Sequence, residues 1–181
     1  MGLTLPIVHN NGGYEGPQSL DLLKGIVDIY LPDMKYGRPE EALRYSLARD
    51  YVDVNHQAIK AMFRQTGPLL TDENGIARRG LCIRHLVLPS GQAHSGDILE
   101  FLLQSFDPQD LTISLMAQYR PIHKACSFPE IARTLTAADY EPVKCAFEKA
   151  GIAGFYQELS ELDASFCIDF TKRKTEPLRG D

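Results

Sequence analysis

The sequence has no tryptophan and few cysteines. Its 181 residues contain four cysteines, which lie tens of residues apart at positions 82, 126, 145 and 167. None of them forms the close pairs that mark zinc sites and thioredoxin-type motifs. With no export signal, this low number favours a reducing compartment without structural disulfides. We therefore interpret the thiols as buried side chains.

Long apolar runs and an excess of positive charge are also missing. No run approaches the roughly 20 residues that a membrane-spanning helix needs, and the N-terminus does not have the pattern of a signal peptide. The 19 Lys and Arg residues against 24 Asp and Glu give a formal net charge of -5. Such a chain does not attract nucleic acid or an anionic bilayer through its overall charge. We expect a cytoplasmic protein with no nucleic-acid or membrane partner.

Common catalytic motifs are absent as well. The sequence contains no Walker-type lysine loop, no Gly-x-Ser-x-Gly and no Gly-x-Gly-x-x-Gly. Its histidines have no metal-ligand spacing with one another or with nearby carboxylates. From the residues alone we predict no catalytic residue and no metal ligand.

The pattern that is present is an alternation of short apolar runs with helix-like segments. The four runs cover residues 5–8, 26–31, 81–88 and 111–116. β-Branched runs separated by amphipathic segments are typical of a parallel sheet with crossover helices. The predicted fold class is therefore α/β.

Turn and cap signals divide the chain between these runs. Expected helix starts are Ser19, Pro39, Asp53 or Asn55, Ser95, Pro129 and Thr136. Asn74-Gly75 predicts a small hairpin over residues 69–77, because this dipeptide supplies the positive φ angles of a tight turn. Four parallel strands also leave two open sheet edges, so we interpret the sequence as lacking a preceding part. The alternative is a small open α/β domain whose edge is covered by the C-terminal tail or by a second copy.

Polar residues follow each apolar run, where parallel sheets bind their ligands. These strand ends offer Asn10, Asn11, Asp33, Lys35, Arg84, Gln118 and Tyr119. Asp33 and Lys35 share a strand face and could bind a zwitterion or ribose hydroxyls, or form a local ion pair. Arg84 lies in an apolar strand and needs an anionic partner from the protein or from a ligand. We expect His85, on the opposite face, to be a packed or surface histidine and not a base.

Four ordered segments resemble one known family. They are residues 5–14 (LPIVHNNGGY), 25–35 (GIVDIYLPDMK), 79–91 (RGLCIRHLVLPSG) and 113–121 (ISLMAQYRP). Together they resemble the later half of radical S-adenosylmethionine proteins, in the branch similar to pyruvate formate-lyase activating enzyme. The resemblance covers roughly residues 3–157. It assigns residues 1–157 to the C-terminal half of the family's barrel and residues 158–181 to an extension or tail.

The resemblance implies an incomplete parallel (β/α)6 barrel like a TIM barrel, of which this chain supplies strands three to six. In the family, a Cys-x3-Cys-x2-Cys loop holds a [4Fe–4S] cluster that reduces S-adenosylmethionine to a 5′-deoxyadenosyl radical. The positions implied to lie near that cofactor are Asn10, Asn11, Asp33, Lys35, Arg84, Gln118 and Tyr119. Arg84 matches an arginine near the cofactor carboxylate, and Gln118 and Tyr119 match the strand end that closes over the nucleoside.

The sequence departs from the family in its cluster ligands. It has no Cys-x3-Cys-x2-Cys and no Gly-Gly-Glu segment, and three thiolates are needed to leave one iron open. We therefore expect radical chemistry only with a cluster-binding half on a missing N-terminal part or a partner chain. Its substrate would be a protein glycyl residue or a small molecule. The alternative is a non-catalytic binding or interaction module, a degenerate remnant of the enzyme.

Overall fold

The protein is described by a computed structural model over residues 5–159. Most of the predicted tail, including Cys167, lies outside these residues. The strands are β1 (Val8–Asn11), β2 (Ile29–Pro32), β3 (Leu70–Thr71), β4 (Ala77–Leu81), β5 (Ile83–Leu86), β6 (Thr112–Met116) and β7 (Ala153–Tyr156). The helices are α1 (Pro17–Leu23), α2 (Pro39–Ser46), α3 (Tyr51–Thr66), α4 (Ser95–Ser105) and α5 (Ala137–Lys149). The predicted α/β class is confirmed.

The strands form two sheets that meet along one line. One sheet has the order β1-β2-β4-β3, and the other has the order β5-β6-β7. All neighbouring strands are parallel except β3 and β4, which form the predicted hairpin. A parallel bridge between Asp33 and Arg84 joins the sheets, and the Met34 amide donates to the Arg84 carbonyl at 2.8 Å. The residues described do not close into a barrel.

The apolar run over residues 81–88 contributes to both sheets. Leu81, the first residue of the run, is the last residue of β4 and pairs with β2. The following residues form β5, which pairs with β6. Only Cys82 separates the two strands, and its amide donates to the Tyr30 carbonyl at 3.0 Å. The run is therefore nearly continuous, but it changes partners in the middle. β7 was not predicted, because its Ala-Gly-Phe-Tyr sequence is short, is interrupted by a glycine and contains no β-branched residue.

Helices cover one face of the sheets. The main core holds strand residues such as Tyr30, Ile83 and Ile113 against Ile59 of α3 and Phe147 of α5, each at most 1% exposed. Burying each such side chain stabilises the fold by about 1.5–3 kcal/mol. The opposite face of the sheets is left to the candidate site. None of the helices within residues 5–159 has the length and apolar content that crossing a bilayer requires.

The expected helix starts at Pro39, Ser95 and Thr136 are confirmed, and the others are wrong. Pro39 begins α2, and Thr136 and Asp139 form a capping box at the start of α5. The expected start at Ser19 is wrong, because α1 already begins at Pro17. The expected cap at Asp53 or Asn55 is also wrong, because α3 begins at Tyr51. No helix begins at Pro129, which instead follows a 3-10 turn over His123–Ser127.

Candidate ligand-binding cleft

The two faces of the central strands differ in chemistry. After β2, Met34 is buried against the helices, whereas Asp33 and Lys35 are only partly covered. In β5, His85 is buried, whereas Arg84 on the other face is partly covered. Successive side chains of a strand point to opposite faces. The strand register therefore places charged groups on the face that the helices leave open.

A cleft of about 710 Å³ lies over this face at the carboxyl ends of the strands. Five of the seven residues predicted as cofactor-binding line it: Asp33, Lys35, Arg84, Gln118 and Tyr119. Apolar residues complete its walls, among them Leu86, Leu88 and Met116. The volume is within the range of pockets that hold small molecules and cofactors.

Asp33 is the centre of the charged group in the cleft. Its carboxylate forms ion pairs with Lys35 and with Arg84, whose Nη2 lies 2.5 Å from Asp33 Oδ1. One carboxylate and two cations leave one net positive charge. Arg84 Nε is buried and has no hydrogen-bond partner among the described residues. An unsatisfied donor beside a net positive charge favours an anionic or zwitterionic ligand.

Helix α3 fixes the loops that carry these groups. The Asn55 amide donates to the carbonyls of Gly13 and Asp33, at 2.9 and 2.8 Å. The Tyr51 hydroxyl accepts from the Lys35 amide at 3.1 Å and lies 3.1 Å from the carbonyls of Gly12 and Asp33. Burial raises the pKa of Tyr51, so its hydroxyl stays protonated. Both side chains are buried, which makes these contacts a rigid support for the cleft.

The contacts with Asn55 and Asp33 explain why the turn after β1 needs a glycine at position 13. Gly13 has a φ of +71°, and an added Cβ would lie 2.1 Å from the Asp33 carbonyl oxygen and 2.2 Å from Asn55 Nδ2. The turn therefore brings the backbone against its own neighbours. This packing accounts for the second glycine without a ligand.

The other two predicted residues lie outside the cleft. The first strand lies later than the apolar run over residues 5–8, so Asn10 and Asn11 belong to β1 and do not follow it as expected. Asn10 is exposed, and its pairing with Leu31 places it on the open face of the sheet. The Asn11 side chain accepts from the Gly13 amide at 2.8 Å and closes the turn. Asn11 pairs with Pro32, on the helix-covered face. Neither asparagine side chain lines the cleft, although the Asn11 carbonyl accepts from the Asp33 amide at 3.0 Å.

Gln118 and Tyr119 close the far side of the cleft. Gln118 Oε1 accepts from Gln157 Nε2 at 3.0 Å, and Tyr119 donates its hydroxyl to the Ile131 carbonyl at 2.9 Å. Burial raises the pKa of Tyr119. These bonds hold both side chains in place and leave the tyrosine ring as a wall.

His85 and Cys82 are buried and do not line the cleft. Burial lowers the pKa of His85 to about 4, and its ring nitrogens lie 2.7 Å from the Met34 carbonyl and 2.8 Å from Ser95 Oγ. The prediction of a packed histidine is confirmed. Burial raises the pKa of Cys82 to about 11, which keeps it a thiol.

Within residues 5–159, no group of three or more His, Cys, Asp or Glu side chains is arranged to hold a metal ion. Cys82 is buried as expected, but the interpretation of the thiols as buried is wrong for Cys126 and Cys145, which are exposed. These residues do not fit an iron–sulfur cluster, which needs thiolate ligands gathered at one place.

Several residues of the site were not identified from the sequence. Leu86 and Met116 could have been found from the strand period. Leu86 lies two residues after Arg84 and Met116 two residues before Gln118, so each shares a strand face with a predicted site residue. Asn55 carried a weaker signal, a polar residue four positions before Ile59 on the apolar face of a helix. Ser46 gave no signal, since it enters the cleft from the end of α2.

Comparison with known proteins gives one uncharacterized relative. It is a protein of Methanocaldococcus jannaschii that is 35% identical over 150 residues, which are 81% of this chain and 38% of the relative. The chain thus spans well under half of the relative's length. No protein-family model matches the chain, and no solved structure matches it.

Proposed function

We propose that the chain is the C-terminal portion of a radical S-adenosylmethionine protein, similar to pyruvate formate-lyase activating enzyme. In this proposal its cleft binds S-adenosylmethionine. The charged group of Asp33, Lys35 and Arg84 at the strand ends is the observation that carries the proposal. The cofactor's chemistry in the resembled family is to supply a 5′-deoxyadenosyl radical, and we place the protein in the cytoplasm.

The strand order supports an incomplete (β/α)6 barrel. With β4 and β5 taken as one continuous run, the order β1, β2, β4–β5, β6 and β7 follows the sequence, and each of these strands is parallel to its neighbour. The described residues thus hold five such strands, one more than the four that the resemblance implies. In a doubly wound sheet the order reverses at a switch point, whereas in a barrel it runs on in one direction. Within residues 5–159, the helices pack on one face of the sheets, as they do on the outside of a barrel. The open face with the cleft is then the barrel interior.

The charges of the cleft fit the amino acid part of S-adenosylmethionine. We assign its carboxylate to Arg84, whose Nε has no protein partner, and to Lys35. The Asp33 carboxylate holds both cations in place and is itself available to ribose hydroxyls or to the ammonium group. Gln118 and Tyr119 bound the side assigned to the nucleoside. The role of these residues is to bind and orient the cofactor.

The iron–sulfur cluster must come from outside the described residues, which do not fit one. We assign it to a cluster-binding half, either on a longer form of the polypeptide or on a partner chain. The relative from Methanocaldococcus jannaschii is consistent with such a longer form, because the match covers only 38% of its length. The hydrogen donor would be a protein glycyl residue or a small molecule.

A non-catalytic interaction module is the second candidate. Leu5, Ile7 and Val8 are exposed at the beginning of β1, and β1 pairs only with β2 among the described strands. An open apolar sheet edge favours pairing with another chain. In this alternative the cleft is a remnant and binds no cofactor.

The proposal is tested by titrating S-adenosylmethionine into the full chain by isothermal calorimetry. We expect Arg84→Ala to weaken binding by about 1.5–3 kcal/mol, a roughly 10- to 150-fold rise in Kd, because a charged hydrogen bond to the carboxylate is lost. Arg84→Lys, which keeps the charge, should recover part of the affinity if the first variant unfolds.

The matched control is Arg78→Ala. Arg78 forms an exposed ion pair with Asp72 in the hairpin, away from the cleft. Its removal should leave the Kd unchanged. Binding that is absent in the wild type, or equal in the Arg84 and Arg78 variants, would contradict the proposal and favour the interaction module.

A further inference from the structure

A second, smaller cavity of about 290 Å³ lies beside the cofactor cleft. It shares Tyr36, Leu88, Tyr119 and Ile122 with the cleft, so the two cavities have a common wall. The rest of the cavity is formed mainly by the segment after β6, including Ala125 and Phe128. No predicted site residue except Tyr119 belongs to it.

The walls of this aromatic pocket are rings whose hydroxyls are already bonded. Tyr36 shares a hydrogen bond with Ser46 at 2.8 Å, and Tyr119 donates to the Ile131 carbonyl. The Tyr45 hydroxyl lies 2.7 Å from the carboxamide oxygen of Gln92 and 2.7 Å from a carboxylate oxygen of Glu130. With these hydroxyls occupied, the pocket presents ring carbons to a ligand.

The rings also have the geometry that receives another ring. Tyr45 and Phe128 pack edge to face with centroids 5.1 Å apart, and Tyr36 and Tyr45 are tilted at 6.2 Å. Such arrays favour an additional aromatic group over an aliphatic one of equal size. Aromatic walls also bind quaternary ammonium groups, but Lys124 lines this pocket and would repel a cation.

We propose that this pocket binds a neutral aromatic ring of the substrate, next to the cofactor. The identity of the neighbouring ligand as the cofactor rests on the proposed function. The binding of an aromatic ring in the pocket does not depend on that function. The ring can belong to a free small molecule or to a peptide side chain. In either case it lies at the end of the sheet where the cofactor is assigned.

The test is ligand-observed NMR with p-cresol, using cyclohexanol as a non-aromatic probe of similar size. We expect p-cresol to bind the full chain, both with and without S-adenosylmethionine, and cyclohexanol to bind at least about tenfold more weakly. N-acetyltyrosinamide distinguishes the two sources. Binding at least as tight as that of p-cresol indicates a peptide side chain, and weaker binding indicates a free small molecule.

Ala125→Phe should fill the pocket and raise the Kd for p-cresol at least about tenfold, which corresponds to 1.4 kcal/mol. Cys126→Phe adds the same ring at the neighbouring exposed position, outside the pocket, and should leave the Kd unchanged. Three results would overturn the inference. They are an equal Kd for p-cresol in the two variants, cyclohexanol binding as tight as that of p-cresol, and displacement of p-cresol by S-adenosylmethionine. If S-adenosylmethionine does not bind at all while Ala125→Phe still abolishes p-cresol binding, the pocket stands and the proposed function fails.

Discussion

At the scale of single residues, Asp33 performs two separate tasks. Its side chain holds the cations of Lys35 and Arg84, while its backbone carbonyl accepts from Asn55. The charged group and the loop that carries it are therefore fixed by the same residue. The sequence could predict the first task, because a carboxylate two positions from a lysine lies on the same strand face. The second depends on a helix that is distant in the sequence.

The Gly12-Gly13 turn gives a prediction at this scale. We expect Gly13→Ala to lower the free energy of unfolding by about 1–3 kcal/mol, because alanine at positive φ is strained and its Cβ overlaps the Asp33 carbonyl. Urea denaturation measures this change.

Gly12→Ala is the control for this prediction. An added Cβ at Gly12 meets no atom within 4 Å, so the expected change is within about 0.5 kcal/mol. Equal effects of the two substitutions would show that close packing against Asp33 is not the reason for the second glycine.

At the scale of elements, the open edge of β1 is the feature with the clearest consequence. Val8 is 49% exposed in this strand, and lysine at such an edge prevents pairing with another chain. We expect the wild-type chain to self-associate with rising concentration and Val8→Lys to reduce this association. Sedimentation velocity measures both.

The control for edge pairing is Leu22→Lys, which removes a 78% exposed leucine from α1, away from the sheet edge. This variant should self-associate like the wild type. A wild type that stays monomeric at all concentrations, or an equal effect of both lysines, would mean that β1 is not the associating edge.

The elements also show how far a sequence alone predicts this fold. The β-branched runs indicated the central strands, and Pro39 and the Thr136–Asp139 box indicated two helix starts, because these signals are local. The change of partners between β4 and β5 could not be predicted, since it depends on which strand lies beside each half of the run. β7 pairs with β6 through Gly154, where a Cβ would lie 1.9 Å from the Ile113 carbonyl oxygen, and a glycine carries no apolar signal.

At the scale of the whole molecule, the described residues form an α/β fold with one sheet face covered by helices and one face that holds the cleft. Four segments of sequence pointed to a barrel enzyme, and the consecutive order of the parallel strands supports that proposal. The site was predicted best where strand ends carry charge and worst where loops after β2 and β6 supply Tyr36 and Ile122. Loop residues reach a site through their path in space, which strand periodicity does not encode.

We propose that this chain works together with a cluster-binding half. Sequencing the coding DNA directly upstream of the codon for Met1 tests it most directly. We predict an open reading frame, in frame or immediately adjacent, that encodes Cys-x3-Cys-x2-Cys followed by the first strands of the barrel. A stop codon just upstream, with no neighbouring frame that encodes such a half, would contradict the account and leave an interaction module.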